Sequence, residues 1–192
     1  MPRQPNINTN IFARLNEIFG RDKLPSARQI FYYIYAILNS SIYRERYRDH
    51  LKIDFPRVPF TDNPGLFMKL SGLGEVLVDI HLMKSRELDY PFSKFEVIGD
   101  NLVKKPLFTI KPGGDGRVYI NDSQYFSHIT KEIWEFEVCG YQVLQKWLKE
   151  RRNRVLSHGE ILHYIKICRA VQLTIDYHRQ IDRLYSELEK DL

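Results

Sequence analysis

The sequence predicts an α+β fold, with helices at both ends (about 10–52, 64–84, 141–152 and 158–189) around a small antiparallel sheet at about 90–138. Three observations carry this. Apolar residues recur three and four apart before residue 84 and after residue 141. Between these stretches the pattern changes to short β-branched and aromatic runs, and GDN, PGGDG and similar turn-formers separate those runs. At 192 residues, 43% hydrophobic and 13% aromatic, the chain can bury a substantial core. One unit over 1–192 is expected: a polar leader 1–8, a helical part 9–84, a β part 90–138 and a helical part 139–192.

The first helix places Ile11, Phe12, Leu15, Ile18 and Phe19 on one stripe and stops at Gly20. Ser26 precedes ARQIFYYIYAILNS, whose Ile30, Tyr33, Ile34, Ile37 and Leu38 follow helical spacing while further aromatics widen the apolar face, so this helix is expected to be buried. SIYRERYRDHL continues as a helix, with Glu45 and Asp49 able to pair with its arginines. Pro56 and Pro59 make KIDFPRVPF a stiff extended connector.

Asn63 and Pro64 open the next helix, in which Gly72 and Gly74 let another backbone approach. His81 lies in an apolar stretch without a second His or Cys one turn away, which favours a hydrogen-bonded structural role over a metal ligand. In the β part, YPFSKFEVIG, LVKKPLFTIK, RVYIN and IWEFEVC read as strands, and PGGDG joins LFTIK to RVYIN as a hairpin. Val143, Leu144, Trp147 and Leu148 then line one helix face, and SHGE at 157–160 has capping-box spacing at the start of a long terminal helix.

Several function classes find no support. No GxxxxGK[ST] loop is present, and GGDG lies between expected strands. No Asp or Glu stands two positions before a Lys, as in metal-dependent nuclease sites. NPG at 63–65 resembles the Asn-Pro-Pro-aromatic tetrapeptide of amino-methyltransferases only loosely. Cys139 and Cys168 have no CxxC or HxxxH beside them, and His163 and Cys168 fall on different helix faces. No catalytic residue, metal or cofactor is therefore expected. Two cysteines, no signal-type apolar run at the amino terminus and no run of about 18–20 apolar residues point to a reducing cytoplasmic setting without a membrane.

The formal charge of +5 favours an anionic partner. Lys104, Lys105, Lys111 and Arg117 fall on or beside expected strands, while Lys146, Lys149, Arg151, Arg152 and Arg154 lie on the helix after the sheet or its tail, with only Glu150 offsetting these five locally. A hydrated face and a phosphate track both account for such a run.

IFYYIYAILNSSIYRERY, LKIDFPRVPF, LGEVLVDIHLM, RVYINDSQYF, GYQVLQKWLKERRNR and LSHGEILHYIKICRA occur in this order with these gaps. As a set they resemble the C-terminal target-recognition (specificity) domain of Type ISP restriction-modification enzymes, which are related to adenine-specific DNA methyltransferases. The resemblance runs from about residue 8 to residue 182. It implies a prokaryotic, cytoplasmic module that recognises double-stranded DNA. Such a module is non-catalytic by itself and positions methyltransferase and nuclease/ATPase domains of the same or a partner polypeptide.

No family motif fixes base-reading positions, so the contacts come from charge. Lys104, Lys105, Lys146, Lys149, Arg151, Arg152 and Arg154 are the phosphate candidates. Lys111, Arg117, Asn121 and Gln124 are the base-reading candidates, although Asn121 and Gln124 also fit as strand-ending turn residues. The alternative is a helical protein–protein interaction module that docks a methyltransferase partner through helix 26–40 and the C-terminal helix.

Overall fold

The structure is a computed structural model that describes residues 7–20 and 24–190. Residues 1–6 of the expected leader lie outside the described residues. The chain divides into two compact units, Met1–Leu82 with Asp176–Leu192, and Met83–Ile175.

The first unit contains α1 (Thr9–Phe19), α2 (Ala27–Asn39), α3 (Ser41–Arg46), α4 (His50–Ile53) and α5 (Pro64–His81). Its helix starts are set by short polar side chains. Ser26 and Gln29 form a reciprocal capping box on α2, and the Asn63 carboxamide oxygen accepts from the amides of Gly65 and Leu66 ahead of Pro64. Ile30, Tyr33 and Ile37 of α2 are fully buried, as their spacing predicts, together with Ala36, while Ile34 and Leu38 are partly buried.

The ring of Tyr33 stacks on Phe67 at 4.4 Å and on Phe60 at 5.2 Å. Its hydroxyl donates to Pro59 O at 2.8 Å, and the Tyr43 hydroxyl donates to Arg57 O at 3.1 Å. The DFPRVPF arm has no strand partner, so these two tyrosine hydroxyls satisfy carbonyls that its prolines leave outside any ladder. A Cβ on Gly74 would stand 1.9 Å from Tyr32 O, so α2 and α5 touch backbone to backbone there. At Gly72 the space is open, and only one of the two glycines serves the close approach.

The expected helix over 41–52 is interrupted at 47–49, where Tyr47 ends α3. Glu45 pairs with Arg48, while Asp49 pairs with Lys52 at 3.0 Å. His81 Nδ1 lies 2.6 Å from the Tyr35 hydroxyl, the structural role its surroundings suggest.

The second unit holds a 3-10 turn (Arg86–Asp89), β1 (Phe95–Glu96), β2 (Leu107–Ile110), β3 (Gly116–Tyr119), β4 (Tyr125–Phe126), α6 (Lys131–Glu135), β5 (Glu137–Val138), β6 (Tyr141–Gln142) and α7 (Val143–Lys149). The last helix, α8 (His158–Leu188), begins in this unit and its residues from Asp176 are assigned to the first.

The antiparallel sheet has the order β1-β4-β3-β2, and β5 and β6 form a separate hairpin. Phe108 pairs with Val118 and Val118 with Phe126, giving an inner face that packs on Trp134, Leu144, Leu148, Tyr164 and Cys168. Alternation turns Leu107, Thr109, Arg117, Tyr119 and Tyr125 to the other face. Seven residues are too few for a stable isolated helix, so α7 depends on burial of Leu144 and Leu148, each contributing about 1.5–3 kcal/mol.

Two expected strands are corrected. In IWEFEVC the Thr130 hydroxyl accepts from Ile133 N at 3.3 Å, and this local cap starts α6, so Trp134 is helical and only Glu137–Val138 is strand. In YPFSKFEVIG only Phe95–Glu96 joins the ladder, because Val97 adopts φ 70 and turns the chain away. The helix expected from 141 begins at Val143 instead, since Cys139 and Gly140, at φ 51 and 78, form a tight hairpin turn that pairs Val138 with Tyr141.

Candidate nucleic-acid interface

The cations predicted from the sequence fall into three groups in the second unit. The first lies along β2 and the chain before it. Lys104, Lys105 and Lys111 line a groove of about 540 Å³ with Leu107, Thr109, Tyr119, Asn121 and Asp122. Lys104 Nζ contacts Asp122 at 2.7 Å, which raises the ammonium pKa. Lys105 makes no side-chain ion pair among the described residues, and Lys111 reaches back over the Tyr119 ring at 5.9 Å.

Backbone hydrogen bonds carry the second group to the first. Val103 N donates to Arg154 O at 2.9 Å, Asn153 N to Val103 O at 2.7 Å and Leu156 N to Asn101 O at 2.9 Å. The tail after α7 is thereby fixed beside 101–104, so Arg152 and Arg154 share an end of the unit with Lys104. Glu160, which caps α8 by accepting from Ser157 N at 3.0 Å, also pairs with Arg154 at 3.2 Å and with Arg151 at 3.4 Å. Its bonds to the Ser157 backbone, then the Ser157 hydroxyl and the two arginines, hold the carboxyl below the usual range.

Glu150 is therefore not the only acid offsetting this run. Arg151 is further committed to the Trp147 ring at 3.6 Å and to Trp147 O, which its Nη1 approaches at 3.0 Å. Arg152 has no side-chain ion pair among the described residues.

Lys146 and Lys149 form the third group, lining a depression of about 610 Å³ with Tyr141, Gln142 and Gln145. Lys146 lies over the Tyr141 ring at 4.1 Å, and Lys149 donates to Gln145 at 2.7 Å.

The base-reading candidates separate by burial. The PGGDG hairpin forms as expected, closed by Lys111 N to Asp115 O at 2.9 Å with Gly113 and Gly114 at positive φ. Arg117 does not extend along its tip. Arg117 Nε donates to Asp115 at 2.7 Å, and the guanidinium lies over Tyr125 at 4.5 Å on the outward face of the sheet. The Arg117 hydrogen bond depresses the Asp115 pKa, so this pair stays ionised at neutral pH.

Gln124 is 1% exposed, and its amide is engaged internally with Val97 O, Asn101 Oδ1, Asn101 N and Asn121 Nδ2. As folded it cannot reach a base edge, and its role is to build a loop. Asn121 serves the same network, accepting from Ser123 N and Gln124 N while donating to Leu102 O at 3.1 Å. The loop they organise, 97–102, carries a fully exposed Ile98 that no periodicity rule singles out.

Among the described residues no cluster of three His, Cys, Asp or Glu could hold a metal ion, and no helix is long and apolar enough to cross a membrane.

These features define an α+β protein whose second unit carries a cluster of cations at one end of its sheet. The family described as Type ISP C-terminal specificity domain matches residues 2–183, and the chain belongs to that family. No curated protein matches it.

Among solved structures, it is similar to a nuclease-deletion mutant of the Type ISP restriction-modification enzyme LlaGI in complex with a DNA substrate mimic, at 22% identity and TM-score 0.62 over 82% of this chain and 14% of that one. The ATP-dependent Type ISP enzyme LlaBIII bound to DNA gives 16% identity and TM-score 0.65, over 91% of this chain and 12% of that one. The DrdV–DNA complex gives 19% and 0.68, over 93% and 20%. At these identities the likeness is one of fold, and the chain spans a fifth or less of each of these relatives.

Proposed function

We propose that the chain recognises double-stranded DNA sequence for a restriction-modification enzyme, with methyltransferase and nuclease/ATPase domains as its working partners. The observation that carries this reading is the hydrogen-bonded junction of 101–104 with 153–156, which gathers Lys104, Lys105, Arg152 and Arg154 at one end of the sheet. Three structures of similar fold contain DNA or a DNA substrate mimic, which supports it.

Lys105 and Arg152, lacking carboxylate partners, contact phosphates and set register. Replacing both by alanine is expected to weaken binding to every duplex alike and to reduce the slope of log affinity against log salt by about 0.9 for each lost phosphate contact. Duplex titrations at several salt concentrations measure this, and an unchanged slope would count against the assignment.

Arg117, oriented by Asp115 and Tyr125, is the remaining strong candidate for reading a base edge. Arg117→Ala is expected to relax preference at one base pair by about 1–3 kcal/mol while leaving others intact. Selection from a randomised duplex pool reads this, and an identical consensus from both proteins refutes it.

A specific observation also favours partner docking, through a surface other than the buried α2 stripe of Ile30, Tyr33, Ala36 and Ile37. Ile53 and Phe55 are 84% and 90% exposed beside a groove lined by Tyr43, Tyr47 and Pro56. Such an exposed apolar pair on a proline-stiffened arm suits contact with a methyltransferase body.

A further inference from the structure

Loop 97–102 combines features that are costly to keep without a use. Ile98 is fully exposed, with a relative accessibility of 101%, and Val97 beside it is half exposed. Val97 is β-branched and holds φ 70, which strains the backbone at the start of the turn, while Asn101 closes it at φ 57, a conformation that Asn tolerates. Left to itself an apolar side chain in water would pull such a loop back onto the body.

Here the loop is clamped outward. Buried Gln124 donates to Val97 O at 3.1 Å and accepts from Asn101 N at 2.8 Å, holding both ends of the turn with one amide. Asp100 Oδ1 accepts from Leu102 N at 3.0 Å. Gly99 sits so tightly on this clamp that an added Cβ would lie 2.6 Å from the Gln124 carboxamide carbon. The same loop runs directly into 101–104, the segment bonded to 153–156, so Ile98 stands close in sequence to Lys104 and Lys105 and to the backbone that fixes Arg152 and Arg154.

A fully exposed aliphatic tip on a clamped loop, six residues before the first of the cations proposed to contact phosphates, has one natural site in DNA. Proteins that deform a duplex insert apolar wedges between adjacent base pairs, and a pre-ordered wedge loses little freedom on insertion. We propose that Ile98 is such a wedge, inserted into a base step while the neighbouring cations hold the backbone. The inference rests on the reading that the chain binds DNA, and it adds a residue and a mode of contact to that reading.

The test uses the whole chain and two duplexes of one sequence, fully paired or carrying a single central mismatch, which lowers the cost of opening a step. The native chain is expected to bind the mismatched duplex about tenfold more tightly. Ile98→Ser should abolish that preference and Ile98→Leu should retain it, whereas removing the Lys105 and Arg152 charges should weaken both duplexes equally. Because Ile98 packs on nothing, the serine variant should unfold at the native temperature.

Binding to both duplexes without preference, or a preference that survives Ile98→Ser, overturns the wedge and leaves DNA recognition standing. Failure to bind either duplex overturns DNA recognition, and the wedge with it.

Discussion

Gly74→Ala is expected to destabilise the first unit by about 3 kcal/mol or more, near the upper end for a single methyl group. The added carbon would meet Tyr32 O at 1.9 Å and the Tyr32 carbonyl carbon at 2.7 Å. A flexible side chain can rotate away from such a contact, but a helical carbonyl moves only with its helix. Relief therefore requires α2 and α5 to separate, which also strips the 4.4 Å stack of Tyr33 on Phe67 and the bond from Ser71 Oγ to Gln29 O at 3.0 Å. Gly72 is the control. With nothing within 4 Å of its added Cβ, Gly72→Ala should be neutral or stabilise by up to about 1 kcal/mol through helix propensity. Urea unfolding of the two variants measures both, and a Gly74→Ala midpoint close to the native one would sink the argument.

Stability is also expected to fall by about 3 kcal/mol as pH is lowered from about 6.5 to about 4, because of His178. His178 is 7% exposed, and burial first, then the charges of Arg44 and His81, push its pKa from 6.5 down to about 4, with Asp182 acting the other way. Between these values the unfolded chain takes up a proton that the folded chain refuses, so acid favours unfolding. Above about 6.5 both states are neutral and the stabilisation is fully present; it is lost as pH falls towards the folded value. His81, also lowered by burial, acts in the same direction. Carboxylates contribute to acid sensitivity as well, so the measurement is the difference between the native chain and His178→Gln in denaturant melts at pH 7 and pH 4.5. The variant should lose most of this dependence, and parallel curves would refute the assignment.

Features encoded within a few residues were readable from the sequence. Ser157 and Glu160 form the capping box their spacing announces, Asn63 and Pro64 start α5, and PGGDG makes the hairpin between β2 and β3. The apolar stripes of α2, α5, α7 and α8 identified most of the core. What was not legible depends on partners remote in the chain or on competition between local preferences. IWEFEVC has strand composition, yet one threonine cap turns its first half helical.

The candidate site shows the same division. Its cations were visible as a set, but their worth was set by contacts that spacing does not encode. Gln124 looked like an exposed strand end and is a buried clamp, since its acceptors and donors at Val97 and Asn101 are more than twenty residues upstream. Ile98 carries no signal at all in periodicity, because its exposure is imposed by that clamp. A fully apolar residue among GDN-type turn-formers is the one hint the sequence offered.

Glu160 gives the surface a further property. One carboxylate begins the longest helix and at the same time occupies two guanidiniums, Arg151 and Arg154. On the proposed DNA-binding reading, an incoming phosphate competes with a resident anion for those arginines, whereas Lys105 and Arg152, without an ion pair among the described residues, meet it directly. That reading makes the surface graded: two cations open to any polyanion, and two that change allegiance only for a ligand seated closely enough to displace a tethered rival.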